Sequence, residues 1–147
     1  MSKVKELHEA CKAGDVDTIR ELLTVDRGLA NSVSETDVRG PYPLHVVAEF
    51  NQPEAAKMLL EYGADVARLD AENAAIALGW AAFFGRPEVV RVLLTAGSEP
   101  SQRNKHGLTA LGCAVGGSQG RWAQFSNASL EDWQRAAEIV RAHGGVE

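Results

Sequence analysis

The stretch Ala77-Leu-Gly-Trp-Ala-Ala-Phe-Phe-Gly-Arg-Pro-Glu-Val-Val-Arg-Val-Leu-Leu-Thr-Ala-Gly97 recurs along the chain, and this recurrence limits the possible folds more than any other feature. It holds a short apolar run, a break at Gly85-Arg86-Pro87, and a second apolar run ending at Gly97. Pro87 suits the first position of a helix, where its missing N–H would have no intrahelical partner. Gly97 suits the left-handed residue that closes one. The stretch therefore predicts two short antiparallel helices joined by a tight loop. One repeat earlier, residues 43–63 lie over it, with Leu44 on Leu78, Pro53 on Pro87 and Leu59-Leu60 on Leu93-Leu94. One repeat later, Ala110-Leu-Gly-Cys-Ala114 lies over Ala77-Leu-Gly-Trp-Ala81, and a fourth copy, residues 7–23, opens the chain. A period of roughly 33 residues marks a stack of supersecondary units, none of which can bury its apolar face alone.

The spaced residues carry a family resemblance. The chain resembles ankyrin-repeat proteins, whose pattern is Asp-x-x-Gly-x-Thr-Pro-Leu-His-x-Ala-Ala-x-x-Gly, then a second helix ending Leu-Leu, then Gly-Ala-Asp. The second repeat carries Asp37, Gly40, Pro43-Leu44-His45, Ala48 and Gly63-Ala64-Asp65, and the junction of the third and fourth carries Gly107, Thr109 and Leu111. The Leu-Gly-x-Ala-Ala-Phe-Phe-Gly motif is similar to that of short, free-standing bacterial members. The resemblance covers almost the whole chain. It implies an all-α solenoid of four helix–turn–helix repeats with β-hairpin-like loops. It also implies one domain over residues 1–147, with repeats near 3–36, 37–70, 71–103 and 104–147.

The chain departs from that pattern in three places. No repeat has both Thr and His at the Thr-Pro-Leu-His corner: Tyr42 replaces the Thr before His45, and Gly112 replaces the His after Thr109. Asn73 stands where the connecting turn normally has Gly, and Asn is the residue expected to take the left-handed conformation there. The last repeat is interrupted near residues 116–129. Ser129 and Asp132 form a capping-box pattern, which predicts that the final helix starts near Leu130 and leaves residues 116–127 as an extended loop. Trp122 and Phe125 in that loop are expected to lie over the open end of the fourth repeat, because burying an aromatic side chain yields about 1.5–3 kcal/mol.

Composition removes several function classes. The net charge is −5 and Lys and Arg form no cluster, so no nucleic-acid partner is expected. No window approaches the roughly 20 apolar residues of a membrane span, and the N-terminus lacks the apolar core of a signal peptide. Cys11 and Cys113 fall in the inner helices of the first and last repeats, too far apart for a disulfide, so both are expected reduced in a cytoplasmic protein. His8, His45, His106 and His143 show no metal-ligand spacing, and no metal or cofactor is expected. His8 beside Glu9 and His45 near Glu49 read as caps or solvated pairs, and Cys113 as a small buried hydrophobe. No catalytic residues are assigned.

Binding has more support. In the family, partners are gripped by the loop tips and by the residues following the Ala-Ala pair of each inner helix. Carried over by position, the partner-binding residues are Arg39, Glu72, Lys105 and His106 at the tips and Glu49, Phe50, Phe83 and Phe84 on the inner helices. The three phenylalanines are expected to form an exposed patch at the centre of the concave face, since aromatic residues are enriched at binding hot spots. The sequence reads as a monomeric module for an unidentified protein partner. A dedicated inhibitor or immunity-type protein is the alternative, and a ligand-binding protein or enzyme using the insertion as a lid is a third reading.

Overall fold

A computed structural model describes all of residues 1–147. Eight α-helices form four antiparallel pairs: α1 (Lys3–Ala13) with α2 (Val16–Val25), α3 (Pro43–Glu49) with α4 (Pro53–Glu61), α5 (Ala77–Phe83) with α6 (Pro87–Thr95), and α7 (Ala110–Ser118) with α8 (Leu130–Ala142). The inner helices α1, α3, α5 and α7 lie side by side in one layer, and the outer helices α2, α4, α6 and α8 in a second. Helices this short are marginal alone in water, so stacking must supply what propensity cannot. The outer helices bury one stripe each, such as Val89, Val90, Leu93 and Leu94 on α6 or Trp133, Ala136, Ala137 and Val140 on α8. The inner helices have neighbours on more sides, and α3 buries every residue from Pro43 to Ala48. The result is a single apolar cluster running through all four pairs.

The helix ends follow the expected chemistry. Pro43, Pro53 and Pro87 each open a helix, Asp15 accepts from Thr18 N–H at the start of α2, and Ser129 and Asp132 close a reciprocal capping box at α8. Each of the first three inner helices is followed by a left-handed residue at the same register: Gly14, Asn51 and Gly85. Cys11 and Cys113 are both buried free thiols, and burial pushes each pKa up to about 12.

Two local expectations are corrected. In the connection before α5 the left-handed residue is Ala74, at φ 50°, and not Asn73. The buried Asp70 carboxylate accepts from the N–H groups of Asn73 and Ala75, which fixes the turn one residue later than the family pattern places it. The interruption in the last repeat is also shorter than expected, because α7 continues through Gly116 and Gly117 to Ser118. Helix propensity alone would end it earlier, at about 1 kcal/mol lost per glycine relative to Ala. Tertiary packing decides otherwise. A Cβ on Gly116 would collide with the Trp122 ring, and one on Gly117 with the Trp133 ring. The glycines let two indoles lie directly on the α7 backbone.

This close approach gives a stability prediction. Gly117→Ala improves the intrinsic helix preference of α7, yet it should lower stability by about 1–3 kcal/mol through overpacking against Trp133. Urea denaturation followed by circular dichroism measures the change, and an unchanged or raised midpoint would show that the ring can give way.

Candidate functional site

The concave side of the stack lies between the inner helices and the turns that precede them. Each of these turns is closed by a backbone bond: Ser34 N–H to Pro41 O, Asp70 N–H to Ala75 O, and Asn104 N–H to Leu108 O. The tips are also tied to one another. Ala71 and Glu72 N–H both donate to Arg39 O, and Lys105 N–H donates to Asn73 O. A row of turns registered by main-chain bonds holds its side chains at fixed spacing, with no strand required.

Beneath the tips, His45 and Trp80 anchor the inner layer. Tyr42 N–H donates to His45 Nδ1 at 3.1 Å, so Nε2 carries the proton and donates to Ala75 O at 2.8 Å. The corner thus closes through backbone and imidazole without the missing Thr. In the last pair Thr109 Oγ1 does the converse, accepting from Gly112 N–H without a His. The Trp80 indole N–H donates to Asp70 Oδ2 at 2.7 Å, and the His45 ring meets Trp80 edge-on at 5.1 Å. Burial holds His45 below the ordinary histidine value of 6.5, although the bond to Ala75 and the Asp70 charge pull the other way.

From Trp80 an aromatic chain runs outward. Phe84 lies 6.0 Å from Trp80 and 5.2 Å from Phe83, and the Phe83 ring stacks on Trp122 at 5.2 Å with Phe125 6.0 Å away. Residues 119–129 are held in this position by side-chain bonds. The Trp122 indole N–H donates to Cys113 O at 2.7 Å and the Ser126 hydroxyl to Phe84 O at 2.7 Å. Arg86 is buried and donates from Nε and Nη2 to Glu49 O, at 3.1 and 2.8 Å, and from Nη1 to Asn127 Oδ1 at 2.5 Å. Together α5, the tips and this segment enclose an open cavity of about 460 Å³, walled by Trp80, Phe83, Trp122 and Phe125, with Asn73, Asn104 and His106 among its polar lining.

The sequence-derived residues fall in different surroundings. Glu72, Lys105 and His106 are exposed at the tips. Arg39 is half-buried: its guanidinium bonds both the Asp37 and Glu49 carboxylates and lies 4.7 Å from the Trp80 ring centroid. Phe50 is exposed, with the Lys12 ammonium 5.9 Å from its ring. Phe83 is half-buried, but Phe84 is only 7% exposed and belongs to the core. The expected patch of three phenylalanines is therefore corrected. Phe84 turns inward because Trp80 offers it a ring to pack on, and Trp122 and Phe125 take its place beside Phe83. These two also do not cover the free flank of the last pair as expected; they fold back towards α5. Their partner was not visible in the sequence because it lies about 40 residues away, at the end of the inner helix of another repeat.

A family model described as ankyrin repeats, in three copies, matches residues 7–104. The chain belongs to the ankyrin-repeat family. An ankyrin repeat-containing protein of Treponema pallidum is 37% identical over 103 residues, covering 70% of this chain and 33% of its own length. The human protein named ankyrin repeat and SOCS box protein 16 is 36% identical over 114 residues, covering 78% of this chain and 24% of that one. Glycerophosphocholine phosphodiesterase gde1 of Schizosaccharomyces pombe is 32% identical over 105 residues, or 71% of this chain and 9% of the enzyme. The ankyrin chain thus spans a third or less of these relatives. No helix is long and apolar enough to cross a membrane.

The ankyrin corner has a pH signature. His45 and His8 both have pKa values lowered by burial, so the unfolded chain binds their protons more readily than the folded one. The stabilising contribution is present above pH 6.5 and is lost as pH falls through the folded values. The urea midpoint should therefore decline below pH 6.5, before the carboxylates titrate, and the His45 ring resonances should still report the neutral form there. A flat midpoint across that range would contradict the assignment.

Proposed function

We propose that this ankyrin stack is a non-catalytic module that holds a partner polypeptide across its tips and concave face. One observation carries the reading: the tips are registered by inter-repeat backbone bonds, and they present Glu72, Lys105 and His106 to solvent beside the aromatic cavity. A surface already fixed before binding avoids much of the ordering entropy that association otherwise costs. The contact surface consists of Arg39, Glu72, Lys105 and His106 at the tips with Glu49, Phe50 and Phe83 below them. Phe84 supports it from the core.

The module is one domain over residues 1–147 with four repeats, the last carrying the interruption after α7. It works as a monomer in the cytoplasm. The matched relatives include proteins whose names carry other domains or an enzymatic activity, and the similarity reaches only their repeats, so their activities are not transferred.

The test replaces the exposed tip residues together, Glu72→Ala, Lys105→Ala and His106→Ala. These side chains make no buried contacts, so the melting temperature should stay within a few degrees of the wild type, while capture of the partner by the immobilised chain should be lost or greatly reduced. Undiminished capture by the triple variant would remove the tips from the interface.

A further inference from the structure

The cavity between α5 and residues 119–129 has more specific chemistry than a general contact surface. Its walls are the faces and edges of Trp80, Phe83, Trp122 and Phe125, and its volume of about 460 Å³ lies within the range of sites that enclose a small organic group. We propose that it is a specificity pocket for an uncharged aromatic side chain, tryptophan or tyrosine, carried by a partner polypeptide. This rests on the reading above that the concave face binds such a partner.

The charge arrangement decides which guest fits. Side chains that dominate interfaces are chiefly Trp, Tyr and Arg. An arginine guest would find the Trp80 ring and the nearby carboxylates already engaged by another guanidinium. The Arg39 guanidinium occupies the neighbourhood of the Trp80 ring, at 4.7 Å, and it engages Asp37 at 2.7 Å and Glu49 at 2.8 Å. An anionic guest fares no better, because the same pairing consumes Arg39: Nε donates to Asp37, Nη1 to Glu49 and Nη2 to both. What remains is aromatic surface, suited to offset or edge-on packing of another ring. At the polar side, Asn104 Oδ1 accepts from the His106 and Leu108 N–H groups, which leaves its Nδ2 to donate elsewhere. With the Asn73 carboxamide it matches the main-chain amides that a side chain brings with it, and a free hydrocarbon ring would lack those.

The pocket also contains a place where it can be filled without disturbing the fold. Gly79 lines it, and a Cβ built there meets only the Ala75 methyl, at an ordinary 3.6 Å. Gly79→Leu adds an isobutyl group at the cavity wall, in a helix where leucine is favoured over glycine.

The test uses the full chain, ¹⁵N-labelled, titrated with N-acetyl-tryptophanamide, N-acetyl-argininamide and free indole while amide shifts are followed. The tryptophan amide should move the resonances of Gly79, Cys113 and Asn104, should bind about tenfold more tightly than either other probe, and should lose about tenfold in affinity in Gly79→Leu. Absence of saturable shifts with the tryptophan amide on the wild type overturns the proposal, whatever the variant does. Equal binding by the arginine amide overturns the charge argument. Equal binding by indole overturns recognition of a polypeptide in favour of a free aromatic molecule. The module reading fails separately: a chain that captures no partner but binds the tryptophan amide loses the module, whereas undiminished capture by a folded Gly79→Leu chain keeps the module and removes the pocket.

Discussion

A helix of seven to eleven residues cannot hide its apolar face by itself, and every feature of this molecule depends on that limit. Seven of its eight helices are of this length. Each pair is stable only against a neighbour, so the apolar residues of α3 and α5 are buried almost all round while those of α2, α4 and α6 form stripes. The polar chemistry is arranged around the same requirement. Inner-layer packing places Trp80 and His45 where their ring N–H groups are cut off from water, and Asp70 and the Ala75 carbonyl are positioned to accept from them. The tips are therefore not decoration on a helical stack. They provide the acceptors that make its aromatic inner layer possible.

The sequence showed the repeat, the helix starts at the three prolines, the cap at Asp15 and the capping box at Ser129, because each of these is a local rule about backbone groups with no intrahelical partner. It showed less where the deciding contact lies far away in the chain. Gly116 and Gly117 look like the beginning of a loop until Trp122 and Trp133 are seen lying on them. Asn73 has the better residue type for a left-handed turn, yet Ala74 adopts it because Asp70 already holds the flanking amides. Phe84 was misplaced for the same reason: register puts it on the concave side, and only the Trp80 ring shows that it turns inward. The candidate site was legible in outline, as tips plus inner helices. The cavity was not, since its wall comes from an interruption that the family pattern does not contain.

That interruption changes how the repeats relate to one another. In a plain stack of this kind each unit touches only the next, and the free energy is close to a sum of nearest-neighbour terms. Here Arg86 holds the last carbonyl of α3 and the side chain of Asn127 at once, and it carries its charge into a buried setting where only hydrogen bonds and nearby carboxylates offset the loss of water. Burial depresses its pKa while Asp132 and Glu49 support the charge. One guanidinium of the third pair thus ties it to both of its neighbours at once, so the two nearest-neighbour terms share a single side chain.

The Trp133 ring adds a further tie, donating from its indole N–H to Phe83 O at 2.9 Å across the boundary between the last two pairs. Side-chain bonds of this kind also cross from the first pair to the second. A molecular motor pulling on the N-terminus must break the bonds from Arg27 to Glu61 O, from Asn31 to Gly63 O and from Gln52 to Lys12 O before α1 and α2 can leave α3 and α4. The same motor pulling on the C-terminus must strip α8 while its indole, the Ser126 hydroxyl and Asn127 are all fastened to the preceding repeat. The stack has no loose end: each terminal pair is fastened to its neighbour by side chains that donate to backbone carbonyls.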